Sequence, residues 1–125
     1  EIIVNGGIKD LDEGDHFSDL DGIMIGREAY SNPYHLINVD QNFYGKKKND
    51  QSRFELLKGF SHFAQKALLK GLPMSVLLKH IYGLSHGIKG GSLWRRQCAE
   101  LVQNQSKKEL CFSDFIEIFP REDHR

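Results

Sequence analysis

Not one Asp or Glu falls between residues 56 and 99. That stretch therefore supplies no carboxylate for acid–base chemistry. It also deprives His80 and His86 of the acidic partner that a zinc set would need. Cysteine is equally sparse, with Cys98 and Cys111 alone in 125 residues. Two cysteines cannot build a disulfide framework, and their apolar helical surroundings predict buried, reduced thiols. No run is long and apolar enough to cross a membrane, and no secretory signal is visible, so a reducing, cytoplasmic setting is expected. Neither a P-loop nor a Gly-x-Ser-x-Gly nucleophile motif occurs. Formal net charge is zero, so overall charge names no partner.

What is present is unevenly distributed. Residues 10–28 carry seven acids and a single base, Arg27. Residues 56–99 carry Lys58, Lys66, Lys70, Lys79, Lys89, Arg95 and Arg96, with His62, His80 and His86. An asymmetry this long suggests a polyanion partner for the second half. The plainer alternative is a solvated helix surface that happens to lack acids.

The first segment has the rhythm of a parallel βαβ unit. Glu1-Ile2-Ile3-Val4 runs into Asn5-Gly6-Gly7, and Asp21-Gly22-Ile23-Met24-Ile25 runs into Gly26-Arg27. A short helix is expected between them, over about Leu11 to Phe17. Ile2-Ile3-Val4 is apolar on both faces, as in a buried parallel strand. Glycines at the carboxyl ends of neighbouring strands let backbone N–H groups approach an anion. In (β/α)8 barrels that phosphate site is often built after the last two strands. The expected fold class is therefore an α/β remnant, the last two βα units of a TIM barrel, followed by an all-α helical bundle. A whole barrel takes ~250 residues, so the chain is expected to be the C-terminal part of a larger protein.

The domain boundaries follow from punctuation. Residues 1–44 are the barrel end, with Asn32-Pro33 as a break and a short helical piece from Pro33 to about Phe43. Residues 45–51, around Gly45-Lys46-Lys47-Lys48-Asn49-Asp50, read as a linker. Residues 52–125 read helical. Ser52 and Glu55 form a capping box, with Leu56, Phe60, Phe63 and Ala67 at helical spacing, flanked by Leu57, Ala64 and Leu68. Gly71 and Pro73 end that helix. Leu77, Ile81 and Leu84 mark a second helix, closed around Gly87. Gly90-Gly91 is read as a turn and Ser92 as the N-cap of a third helix through Trp94, Cys98 and Leu101. Phe112, Phe115, Ile116 and Phe119 give a fourth, stopped at Pro120.

Chemistry concentrates between His80 and Arg96. Glycine turns bring Lys89, Arg95 and Arg96 to the start of the third helix, whose N-terminus favours an anion. Arginine suits phosphate because its planar fork grips two oxygens. Trp94 shares a face with Cys98 and Leu101, so core packing outweighs base stacking. No set of residues is catalytically self-sufficient. A cofactor would have to supply the reaction, with this chain gripping its phosphate.

Three strings carry a resemblance. They are Val4-Asn5-Gly6-Gly7-Ile8, then Asp21-Gly22-Ile23-Met24-Ile25-Gly26-Arg27-Glu28-Ala29-Tyr30 with Asn32-Pro33, and His80-x-x-Gly83-Leu84-x-x-Gly87-x-x-Gly90-x-x-x-Trp94-Arg95-Arg96. In this order they closely resemble tRNA-dihydrouridine synthases of the A type, from residue 1 to about residue 101. The resemblance implies an oxidoreductase of tRNA processing. Such a flavoprotein reduces a D-loop uridine of tRNA to 5,6-dihydrouridine with FMN that NADPH recharges. It implies an FMN-binding TIM barrel followed by a helical tRNA-binding domain. Asn5, Gly6, Gly7, Gly26 and Arg27 correspond to the FMN-phosphate grip. Arg95 and Ser92 fall on tRNA-contacting positions. Lys79, Lys89 and Arg96 complete the basic nucleic-acid-binding set.

Two departures are visible. Ser92 stands where the A type usually carries arginine, and Lys79 replaces an arginine before His80. The family's proton-donating cysteine lies in an earlier barrel loop, so no catalytic residue is expected in this segment, and the fragment alone is expected to be inactive. No metal, membrane or protein partner is implied beyond tRNA and the missing N-terminal barrel. The alternative is a catalytically dead remnant acting at most as a helical RNA-binding module. A third reading is another FMN or sugar-phosphate barrel with an unrelated helical tail.

Overall fold

The computed structural model describes residues 1–5, 19–104 and 110–121. The chain divides into two units, Glu1–Asp50 and Gln51–Arg125.

In the first unit, β1 (Ile3–Asn5) pairs with β2 (Gly22–Met24). The pairing is parallel, with Ile3 opposite Gly22, Val4 opposite Ile23 and Asn5 opposite Met24. Asp21 fastens the start of this pair. Its N–H donates to the Ile2 carbonyl at 2.7 Å, and its carboxylate accepts from the Ile2 N–H at 2.6 Å. The helix expected over 11–17 lies outside the described residues, as do Gly6 and Gly7. Burial of the strand on both faces is not found. Ile2 and Ile3 are 63% and 56% exposed, because two strands and the short elements after them cannot cover both faces of a sheet.

Beyond β2 the chain turns into α1 (Arg27–Ser31). Pro33 then opens the expected helical piece, whose first turns, Pro33–Asn38, are 3-10 before α2 (Val39–Tyr44). Proline suits this start, since its missing N–H would have no partner in a first turn.

The second unit opens on α3 (Arg53–Leu69) with the expected capping box. The Glu55 N–H donates to Ser52 Oγ at 3.1 Å, and the Ser52 N–H donates to Glu55 Oε1 at 2.9 Å. Those bonds from Ser52 hold the Glu55 carboxyl below its ordinary range. At the far end the Leu72 N–H reaches back to the Ala67 carbonyl, and Gly71 takes φ +99°. Pro73 then leads into α4 (Met74–Ile81), a 3-10 segment (Tyr82–Ser85), α5 (Gly91–Asn104) and α6 (Phe112–Glu117).

These helices share one core. Leu57 and Ala64 come from α3, Leu77 and Leu78 from α4, and Trp94 and Cys98 from α5; Phe112, Phe115 and Ile116 come from α6 and Phe119 from just beyond it. Trp94 is 1% exposed and its Nε1–H donates to the Phe115 carbonyl at 2.9 Å. Its ring meets Phe119 and Tyr82 edge-on at 4.8 and 5.8 Å. Core packing, not stacking on a base, is the role of this indole.

Two expectations change here. Phe63 is 60% exposed, because the buried line of α3 runs through Leu57 and Ala64, and Phe63 points ~100° away from Ala64. Cys111 is exposed rather than buried, since it stands at the N-cap of α6. Its N–H donates to Asp114 Oδ2 at 3.0 Å. Cys98 is buried as expected, and desolvation pushes its thiol up to about 12.

Candidate functional site

Parallel strands send their following segments out at the same edge of a sheet. Asn5 and Met24 are register partners, so the carboxyl ends of β1 and β2 lie side by side. Gly26 and Arg27, both exposed, follow β2 after Ile25. Gly26 is the N-cap of α1 and receives no side-chain cap. Its φ is −106°, open to any residue, and a Cβ there would meet only Met24 Sδ at 3.9 Å. The fold of the described chain therefore does not demand glycine at this position. A side chain there would stand in the open approach to the backbone at the start of α1.

In the sequence Asn32 is read as punctuation and as part of the second string of the resemblance, with no role of its own. It is buried, and among the described residues its Oδ1 meets no hydrogen-bond partner; the same holds for the buried Nδ1 of half-buried His35 one turn on. A buried polar atom left unpaired costs ~1–3 kcal/mol.

In the second unit every lysine of the acid-free stretch is exposed, as are Arg96, His62, His80 and His86. Lys79 lies near the end of α4, Lys89 in the loop before α5, and Ser92 and Arg96 on the first turns of α5. Arg96 pairs with Glu100 at 3.8 Å, with both side chains mostly in water, a contact worth ~0–1 kcal/mol. An open groove at the α3–α4 turn is lined by Phe63, Lys66, Lys70 and Leu72, among others.

Arg95 differs from the other cations in being half-buried. Its Nη1 donates to Ser85 Oγ at 2.7 Å and, more weakly, to the Ser85 carbonyl at 3.5 Å. Its Nη2 donates to Ser92 Oγ at 3.0 Å. Ser92 is therefore not the N-cap. The Trp94 N–H bonds the Gly90 carbonyl at 2.9 Å, so the helix starts at Gly91, two residues before the Leu93 that a Ser92 cap would give, and the Ser92 hydroxyl is left to accept from Arg95.

The glycines explain that start. Gly87 and Gly90 take φ +76° and +84°, which side chains rarely adopt. Gly91 is buried against the 3-10 segment, where a Cβ would lie 2.2 Å from the Ser85 carbonyl oxygen. Ser85 itself is 1% exposed and went unread in the sequence. The Gly90-Gly91 pair was the available signal, because paired glycines mark close backbone approach as well as a turn.

Among the described residues no group of His, Cys, Asp and Glu could hold a metal ion, and no helix is long and apolar enough to cross a membrane.

Comparison with known proteins gives one consistent result. Residues 1–119 match the family model described as dihydrouridine synthase (Dus). The curated tRNA-dihydrouridine(20/20a) synthase of Vibrio parahaemolyticus is 34% identical over 122 residues, 97% of this chain and 37% of that protein. Its namesake from Pseudomonas putida is 36% identical over 119 residues, 94% of this chain and 35% of that protein. For the one from Escherichia coli the figures are 36%, 98 residues, 78% and 30%. The chain thus spans about a third of the length of these relatives.

Proposed function

The chain belongs to the dihydrouridine synthase family, and on that premise we propose that it is the C-terminal part of an FMN-dependent enzyme that reduces a D-loop uridine of tRNA. The relatives' names point to positions 20 and 20a. Residues 1–44 would be the end of the (β/α)8 barrel, 45–51 a linker, and 52–125 a helical tRNA-binding domain. The observation that carries this reading is the parallel pairing of β1 and β2, with an uncapped, open helix start at Gly26.

FMN, when bound, would supply the hydride for the C5–C6 double bond of the uracil ring, NADPH being the ultimate reductant. This chain's own part is grip. Asn5, Gly6, Gly7, Gly26 and Arg27 would hold the flavin phosphate at the shared strand edge, where backbone N–H groups and a guanidinium suit a dianion. Neither thiol is placed for proton donation. Cys98 is sealed in the core with its pKa raised, and Cys111 caps α6. The resemblance puts the proton donor, and the residues that contact the flavin ring, in an earlier barrel loop outside these 125 residues. The exposed cations Lys79, Lys89 and Arg96, with Arg95 and Ser92, would hold tRNA through its phosphates while the target base swings toward the flavin.

A titration of the 125-residue chain with tRNA at two salt concentrations tests this grip. Neutralising four or five phosphates predicts that affinity falls by roughly a hundredfold between 50 and 200 mM salt. Affinity that holds steady as salt rises contradicts a phosphate grip.

A further inference from the structure

We propose that Ser85 and Ser92 form a two-hydroxyl clamp that positions Arg95 as a fixed fork for one RNA phosphate. The proposal rests on the reading of the second unit as the tRNA-binding part.

The hydrogen bonds have a direction. Ser85 Oγ donates its single proton to the Tyr82 carbonyl at 2.8 Å. With that proton committed, the oxygen faces Arg95 only as an acceptor. It takes the Nη1 proton at 2.7 Å, the shortest of the three Arg95 contacts. Ser92 Oγ takes one Nη2 proton at 3.0 Å from one turn away on the same helix. Both ends of the guanidinium are thus held, one by a fully buried serine and one by an exposed serine.

Every partner in this clamp is neutral. The described Arg95 contacts are two hydroxyls and a carbonyl, with no carboxylate, whereas its neighbour Arg96 is ion-paired. The half-buried charge is oriented without being neutralised. The Nε proton and one Nη2 proton remain for an acceptor from outside. An arginine fixed before the ligand arrives loses less side-chain entropy on binding. A lysine such as Lys89, exposed on a flexible stem, presents a point charge rather than a planar fork.

The test is tRNA binding by the 125-residue chain, read as affinity and as salt slope, with circular dichroism melts alongside. Arg95→Ala removes a charge, and it is expected to weaken binding and lower the salt slope by about one. Ser92→Ala removes no charge. It is expected to weaken binding about fivefold with the slope and the melt unchanged, and Ser92→Thr, which keeps the hydroxyl in an exposed position, is expected to restore it. Ser92→Ala on top of Arg95→Ala should add nothing. Ser85→Ala should behave like Ser92→Ala, and if it fails to fold, the Ser92 series decides alone. Weakening by Arg95→Ala with full affinity in Ser92→Ala overturns the clamp and leaves the tRNA reading standing. Unchanged affinity and slope in Arg95→Ala overturns the assignment of Arg95 to RNA, and the clamp with it.

Discussion

Trp94→Ala is expected to lower the stability of the second unit by ~3–5 kcal/mol, most of what a unit of this size holds, on the order of 4–10 kcal/mol. The indole is 1% exposed and sits between Tyr82, Phe119 and the backbone of α6. Alanine leaves a cavity that three different segments would have to collapse to fill. It also strips the Phe115 carbonyl of its donor. Trp94→Phe separates the two losses. It keeps most of the apolar area, loses the N–H and leaves a smaller void than alanine does, so it should cost ~1–3 kcal/mol. Because Trp94 is the single tryptophan of the chain, urea unfolding should be followed by far-ultraviolet circular dichroism. A loss below ~1 kcal/mol for Trp94→Ala would show that this indole is not the centre of the core.

Gly91→Ala should be nearly as damaging, for a different reason. The new Cβ would lie 2.2 Å from the Ser85 carbonyl oxygen and 3.3 Å from its carbon. These are backbone atoms, so no side chain can rotate away. Either α5 or the 3-10 segment must move, at ~2–4 kcal/mol. The same displacement would separate Arg95 from Ser85, so tRNA affinity should fall beyond what stability loss explains. Gly59→Ala is the control of opposite sign. It lies exposed within α3 with nothing within 4 Å of its would-be Cβ, and alanine there should stabilise the helix by ~0.5–1 kcal/mol. Equal, small effects of the two substitutions would contradict the close approach of α5 to Ser85.

Local signals explain what was legible in the sequence. Ser52 and Glu55 sit three apart and satisfy each other, so the start of α3 needed no tertiary information. Gly71 and Pro73 ended it for equally local reasons. Ile3 and Ile23 lie in short apolar runs followed by glycines in the sequence, and a parallel pair follows from that rhythm. What failed was set by contacts distant in sequence. Ser92 has the chemistry of an N-cap, but the start of α5 is fixed by its approach to Ser85, so its hydroxyl turns to Arg95. Phe63 satisfies helical spacing, yet the face that α3 buries is chosen by where Phe112 and Leu77 lie. Cys111 precedes an apolar stripe but belongs to the cap of α6, outside that stripe. The basic residues could be picked out by composition, whereas the difference between Arg95 and its neighbours is one of hydrogen bonding and has no linear signature.

The central claim is that this chain is part of an enzyme making dihydrouridine in tRNA. It is met most directly by mapping dihydrouridine, position by position, in tRNA from cells lacking the gene and from the same cells with the gene restored. The account predicts that one D-loop position carries plain uridine in the first and dihydrouridine in the second. Dihydrouridine at every D-loop position in both would contradict it.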